Sequence, residues 1–220
     1  MKGKGFYMDK GCDPEKLGRL TDRIISMGAL CEVSIAAASK ALLSGDKSLA
    51  SKALETDKLI DSKEREIESM CLKLLLEQPE LHQLRQISAA LKMITDMERI
   101  GDQAADIAEI VSIAGVRAGS NVDIDGMASA TIKMVTDSIE AYVSQDLTLA
   151  RAVMEYDDVV DDFFSRIKEE LISLIAADPS NSGYALDLLM IAKYLERIGD
   201  HAVNIAEWAD FSITGEHYKK

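Results

Sequence analysis

The sequence predicts an all-α protein whose six long helices form two pseudo-symmetric three-helix bundles. Three observations carry this. The 220 residues include 3 prolines, only 5% are aromatic, and Ala, Leu, Ile, Lys and Glu are abundant, a composition that favours helix. Apolar residues recur at helical spacing over stretches of roughly 25 to 30 residues, or about 40 Å at 1.5 Å per residue. The second half of the chain then restates the first.

Residues 1–13 carry Gly3, Gly5 and Gly11 among lysines without apolar period. They read as a mobile leader, with Met8 as an alternative start. Pro14 suits a first helical turn, and the period Leu17, Leu20, Ile24, Met27, Leu30 runs on to Leu43 before Ser44-Gly45-Asp46 ends it. A second helix follows from about Lys47 to Glu77, with Leu54, Ile60, Ile67, Met70 and Leu74 on one side and Pro79 closing it. The third runs from about Leu81 to Ile113. Residues 115–126, with three glycines and Asn121, read as a linker, and a fourth helix runs from about Met127 to Val143.

From there the pattern repeats. Gly45-Asp46-x-x-Leu49-Ala50 returns as Gln145-Asp146-x-x-Leu149-Ala150, and Leu54-Glu55-x-Asp57-x-x-x-Asp61 as Met154-Glu155-x-Asp157-x-x-x-Asp161, both offset by 100. The segment Glu98 to Glu109 matches Glu196 to Glu207 at nine of twelve positions, offset by 98. Self-similarity at half the chain length implies two copies of one up-down-up helical unit, 14–114 and 127–215.

A net charge of −13 argues against nucleic-acid binding and against direct attraction to anionic membranes, both of which need a basic face. It favours cationic ligands, metals above all. Cys12, Cys31 and Cys71, odd in number and widely spaced, suit neither a disulfide framework nor a thiolate zinc site. Lysines and Asp9 interrupt the N-terminal region, so no secretory apolar core is expected there. The expectation is a soluble cytoplasmic protein.

Carboxylates stand where the fold does not need them. Glu98, Asp102 and Asp106 lie four apart on one helical face, as do Asp57 and Asp61. Both rows run along the shoulder of an apolar stripe, and the matching positions in the second half are Asp157, Asp161, Glu196 and Asp200. Like charges at i,i+4 destabilise a helix by roughly 0.2–0.5 kcal/mol per pair, and partial burial adds to that unless a cation compensates. One D-x-x-x-D reads most simply as a solvated face or a partner of Arg99 or Arg197. Its recurrence at matched places points to hard oxygen sites for iron, manganese, magnesium or calcium, or for zinc with bridging ligands. Gly101 and Gly199 sit in mid-helix at a cost of about 1 kcal/mol each, which suggests close helix crossing, room for ligands, or both. His201 corresponds to Gln103 and reads as a local hydrogen-bonding residue and not as a required ligand. The ten methionines read as core filler, and they also suit adaptable docking surfaces.

The segments Met27-Gly-Ala-Leu30, Ala41 to Asp46, Asp57-x-x-x-Asp61, Cys71-Leu-x-Leu-Leu75, Leu84-Arg85-x-Ile87, Glu98-Arg-Ile-Gly-Asp102 and Leu195 to His201 resemble, in this order, the PhoU family of phosphate transport accessory and regulatory proteins. The resemblance runs from about Leu17 to Gly215. It implies two three-helix bundles whose E/D-x-x-x-D motifs hold multinuclear iron or zinc clusters through Asp57, Asp61, Glu98 and Asp102, and through Asp157, Asp161, Glu196 and Asp200. Asp106 is a further acidic candidate, at a position where the family often has Asn. Gln83 replaces an acidic residue common in the family. The implied role is non-catalytic: negative regulation of phosphate uptake and of the phosphate-starvation response, through the phosphate ABC transporter ATPase and a sensor histidine kinase. Membrane association would be through those partners only. Long amphipathic helices with Met and Leu to spare predict a homodimer.

Two alternatives stay open at this level. One is service beside a sodium-phosphate cotransporter. The other is a carboxylate-bridged di-metal enzyme, against which stands the absence of Glu three residues before His82, His201 or His217, the Glu-x-x-His pattern of di-iron bundles.

Overall fold

The computed structural model describes residues 11–118 and 122–218. Its six α-helices are α1 (Pro14–Ser44), α2 (Lys47–Leu75), α3 (Leu81–Ala114), α4 (Ile124–Ser144), α5 (Leu147–Ala177) and α6 (Ser182–Thr214), with a short 3-10 turn at Pro179–Asn181 before α6. Local chemistry sets the ends. The side chains of Asp13, Asp46 and Asp146 accept from the backbone N–H groups of Glu15, Ser48 and Thr148, capping α1, α2 and α5. Asp123 does the same for Gly126, so α4 starts at Ile124, one turn before the expected Met127. Gly45 ends α1 in the left-handed conformation, and its repeat counterpart Gln145 adopts the same conformation after α4 at φ 54°. There the amide of Gln145 donates to Tyr142 O and Ser212 Oγ, which compensates for the missing glycine.

The expected leader, 1–13, lies partly outside the described residues. Its last residues belong to the fold. Cys12 is buried, its N–H donates to Gln83 Oε1 (2.8 Å), and Gln83 Nε2 donates back to Cys12 O (3.1 Å). The Cys12 thiol donates to Leu74 O. Gln83, the departure from the family pattern, is therefore the clasp that pins the incoming chain to the α2–α3 end. A carboxylate there would have no donor for Cys12 O.

Helices α1–α3 and α4–α6 form the two bundles, joined chiefly by α3 against α6 and also by α1 against α4. One continuous core results. Because α3 and α6 face both their own bundle and each other, they bury residues round much of their circumference, from Ile87 to Val111 and from Ala185 to Ala209. One helix, α1, is long and apolar enough to cross a bilayer by length and composition, and most of that stretch is buried inside the bundles. All three cysteines are free and buried.

The outer helices α2 and α5 differ from these. Their buried residues follow a seven-residue repeat, Ala53, Ile60, Ile67 and Leu74 in α2 and Val153, Val160 and Ile167 in α5, the narrow seam of a coiled coil. Along one flank of the α2 seam run two columns, Ala50-Asp57-Glu64-Cys71 and Leu54-Asp61-Glu68-Leu75. They are apolar at the ends, where packing closes, and acidic in the middle. A narrow seam leaves this flank at the edge of the α2–α3 contact, which is how the fold presents a row of half-buried carboxylates.

Candidate metal centre

Antiparallel packing of α2 on α3 brings Asp61, Asp102 and Asp106 within electrostatic reach of Asp57, with Glu98 reached by Asp61, Glu64 and Asp102. All five expected acids of the first half are half-buried and form one groove. Burial first, and then the charges of Asp61, Asp102 and Asp106, push the Asp57 carboxyl up to about 6. Burial and Asp102 raise Glu98 and Asp106 as well. Glu64, which belongs to this groove through Glu68, Asp61 and a hydrogen bond from Thr95, is raised by burial and by the charges of Glu68 and Asp61, against the pull of the Thr95 hydrogen bond. The i,i+7 spacing of Glu64 from Asp57 is the signal that marks it.

Asp57 is the focus of the groove. Its Oδ1 is buried without a hydrogen-bond partner, and a Cβ on Gly101 would lie 2.9 Å from it. Gly101 thus lets α2 approach and leaves room for a carboxylate oxygen that no protein group pairs. An orphaned buried anion is expensive, and a bound cation removes that penalty.

The second groove repeats this layout less completely. Asp161, Glu196 and Asp200 interact across α5 and α6, and Asp200 is raised by burial and Glu196 against the pull of Lys193. Asp157 lies under Gly199, its Oδ1 3.6 Å from where a Cβ would stand. Asp161 and Asp200 are exposed.

Among the described residues no three His, Cys, Asp or Glu side chains converge closely enough to hold an ion as they stand. The cations of the chain explain part of this. Arg99 draws Asp102 (3.0 Å) and Glu98 (3.5 Å) toward the outer flank of the first groove, and Lys193 pairs with Glu196 in the second. The first groove fits a hard cation by donor type and by the orphaned Asp57 oxygen, and an ion there would compete with Arg99 for Asp102 and Glu98.

Asp106 also has a second role. It accepts a hydrogen bond from Tyr194 of α6 and feels Arg197. The pseudo-symmetric contact is Asn204 Nδ2 donating to Asp96 Oδ1 (2.9 Å), to which His201 Nδ1 also lies at 2.9 Å. Asp96 and Tyr194 are 98 residues apart, as are Asp106 and Asn204. The same two positions therefore meet on both sides of the α3–α6 seam. His201 is a hydrogen-bonding residue, as expected, but its partner is on α3 and not on its own helix. Nothing in the local sequence around Asp96 marks this role, which emerges only when the two repeats are packed.

Comparison with known proteins agrees with this architecture. The family model described as PhoU domain matches twice, over residues 24–111 and 124–209. The chain is 33% identical over 204 residues to the phosphate-specific transport system accessory protein PhoU homolog of Clostridium acetobutylicum, covering 91% of this chain and 93% of that protein. It is 35% identical to the PhoU homolog of Caulobacter vibrioides, covering 92% and 90%. The crystal structure of PhoU from Pseudomonas aeruginosa superposes with a TM-score of 0.85 at 32% identity, covering 92% of this chain and 99% of that one. The phosphate transport system regulatory protein PhoU from Streptococcus pneumoniae gives 0.84 at 26%, covering 94% and 99%.

Proposed function

This chain belongs to the PhoU family, and from that premise we propose that it regulates phosphate uptake and the phosphate-starvation response as a non-catalytic, metal-binding adaptor. The observation that carries the reading is the double family match, one per bundle, across relatives named as accessory proteins of the phosphate-specific transport system. In this reading the protein works in the cytoplasm, reaches the membrane only through its partners, and down-regulates the phosphate ABC transporter ATPase and a sensor histidine kinase when phosphate is plentiful. A homodimer forms through its long helices.

The metal role is supported by residue chemistry. Asp57, Asp61, Glu98, Asp102 and Asp106 would hold the ion or ions of the first groove, and Asp157, Asp161, Glu196 and Asp200 are their repeat counterparts. Bound iron, zinc or another hard cation would supply positive charge that braces α2 against α3. The chain's own residues then do the regulatory work, because the ion is bound best by whichever helix arrangement gathers its ligands, and a partner that prefers that arrangement is favoured with it. Leu72, Leu76 and Leu81 stand exposed round the α2–α3 turn, the kind of apolar surface a partner covers.

The test is a deletion of this gene in its host, complemented by the wild-type chain or by Asp57→Asn with Glu98→Gln. Phosphate uptake that escapes restraint at high phosphate, and is restored by wild type but not by the double variant, is the expected result. Uptake and starvation-response output that ignore the deletion would sink the proposal.

A further inference from the structure

The two grooves are built from the same repeat, yet they do not carry the same charge. The acidic column Asp57-Glu64 of α2 becomes Asp157-Phe164 in α5, and Asp61-Glu68 becomes Asp161-Lys168. On the facing helix Thr95 becomes Lys193 and Asp106 becomes Asn204. Six carboxylates, Asp57, Asp61, Glu64, Glu98, Asp102 and Asp106, therefore share the first groove, whereas four line the second.

Lys193 occupies the vacated end of the second groove. Its ammonium pairs with Glu196 and stands 5.6 Å from the Phe164 ring centroid, within cation–π range. Thr95, its counterpart, brings no charge and bonds Glu64 instead. Each groove has a cation on its rim: Arg99 pairs with Asp102 and Glu98 in the first, and the grooves differ in how many carboxylates that cation faces. In the first groove six carboxylates, with the unpartnered Asp57 oxygen among them, face Arg99, whereas in the second Lys193 faces four.

We propose that tight binding of hard divalent cations by this chain resides in the first groove, and that Lys193 is the built-in counter-ion that keeps the second groove weak. This rests on the reading that the acidic rows bind metal. The Phe164 face beside Lys193 favours a position in which its charge stays at Glu196, one of the four carboxylates of that groove.

Manganese(II) binding to chelator-stripped protein, counted by the electron paramagnetic resonance of the free ion, tests this without reference to activity. Asp57→Asn with Asp102→Asn should abolish the tight sites, and Asp157→Asn with Asp200→Asn should leave them within about twofold. Lys193→Met, which keeps the stem over Phe164 and removes the charge, should tighten the residual sites of the first-groove variant by at least about tenfold. Equal losses from the two double variants, or no gain from Lys193→Met, would overturn the asymmetry and leave metal binding standing. Absence of stoichiometric manganese from the wild-type chain would overturn the metal reading itself. Circular dichroism of each variant confirms that the bundles are folded.

Discussion

The buried Oδ1 of Asp57 lies 2.9 Å from the place a Cβ on Gly101 would occupy, whereas the matching distance from Asp157 to Gly199 is 3.6 Å. The repeat has kept the glycine on both sides, but only the first is crowded. At Gly101 a methyl group would also meet Ile60 Cδ1 at 3.0 Å, so the carboxylate and the seam must both yield. At Gly199 the nearest atom, Val160 Cγ1, is at 3.4 Å, an ordinary contact. Gly199→Ala should therefore stabilise the metal-free protein by about 0.5–1 kcal/mol through helix propensity, and Gly101→Ala should be neutral or destabilising. Urea denaturation of the two variants checks this, and an equal gain from both would remove the steric argument.

The charge on Asp57 makes a pH prediction. Its folded pKa of about 6 lies above the ordinary 3.8, so between those values the native state holds a proton that the unfolded chain releases. As far as this group is concerned, the stability of chelator-treated protein is then highest below about pH 4, falls as pH rises to about 6, and levels off above that. Glu98 and Asp106 act in the same direction. After allowance for solvent screening the Asp57 contribution is roughly 1–2 kcal/mol, and Asp57→Asn should flatten the fall by that amount. Unfolding free energies measured from pH 4 to 7.5 decide it; a slope shared unchanged by Asp57→Asn would show that Asp57 is not the titrating group.

Gln83 predicts a thiol phenotype. Replacing it by Glu keeps an acceptor for the Cys12 N–H but sets a carboxylate oxygen against Cys12 O, where Nε2 now donates at 3.1 Å. The segment before α1 should detach, and Cys12 should react with a thiol reagent at least about tenfold faster than in the wild type, while Cys31 and Cys71 stay protected. Unaltered labelling would mean the clasp is redundant.

Asp210 is buried at the C-terminal end of α6, where it accepts from Arg151 Nε (3.1 Å) and from Thr214 Oγ1 (3.1 Å). Removing the guanidinium leaves a desolvated carboxylate with only a hydroxyl partner. Arg151→Ala should cost about 2–3 kcal/mol, and Arg151→Ala with Asp210→Asn should recover part of it. Thermal unfolding of the single and double variants separates this from simple loss of packing, which the second change would not repair.

Across the α3–α6 seam, Asp96 serves both His201 and Asn204. A double-mutant cycle between Asp96→Ala and Asn204→Ala should return a coupling of about 0.5–1.5 kcal/mol. A coupling near zero would place these groups in solvent, contrary to their partial burial.

Much of this molecule is legible along the chain because its signals are local. The Asp46 and Asp146 caps, the left-handed turn at Gly45 and the proline at the start of α1 act within a few residues, and the 98- and 100-residue offsets announce two copies of one unit. Even the acidic rows are local, since i,i+4 spacing on one helix is a property of that helix alone. What the sequence by itself determined was therefore six helices, two bundles and which carboxylates share a face. Only the tertiary structure decided which of those faces becomes a groove. The orphaned oxygen of Asp57 exists because α2 meets α3 at Gly101, Asp106 also faces Tyr194 because α3 meets α6, and Cys12 enters the core because Gln83, 71 residues later, has both a donor and an acceptor to hold it. Burial and pairing depend on residues distant in the chain, and no periodicity within one helix carries that information.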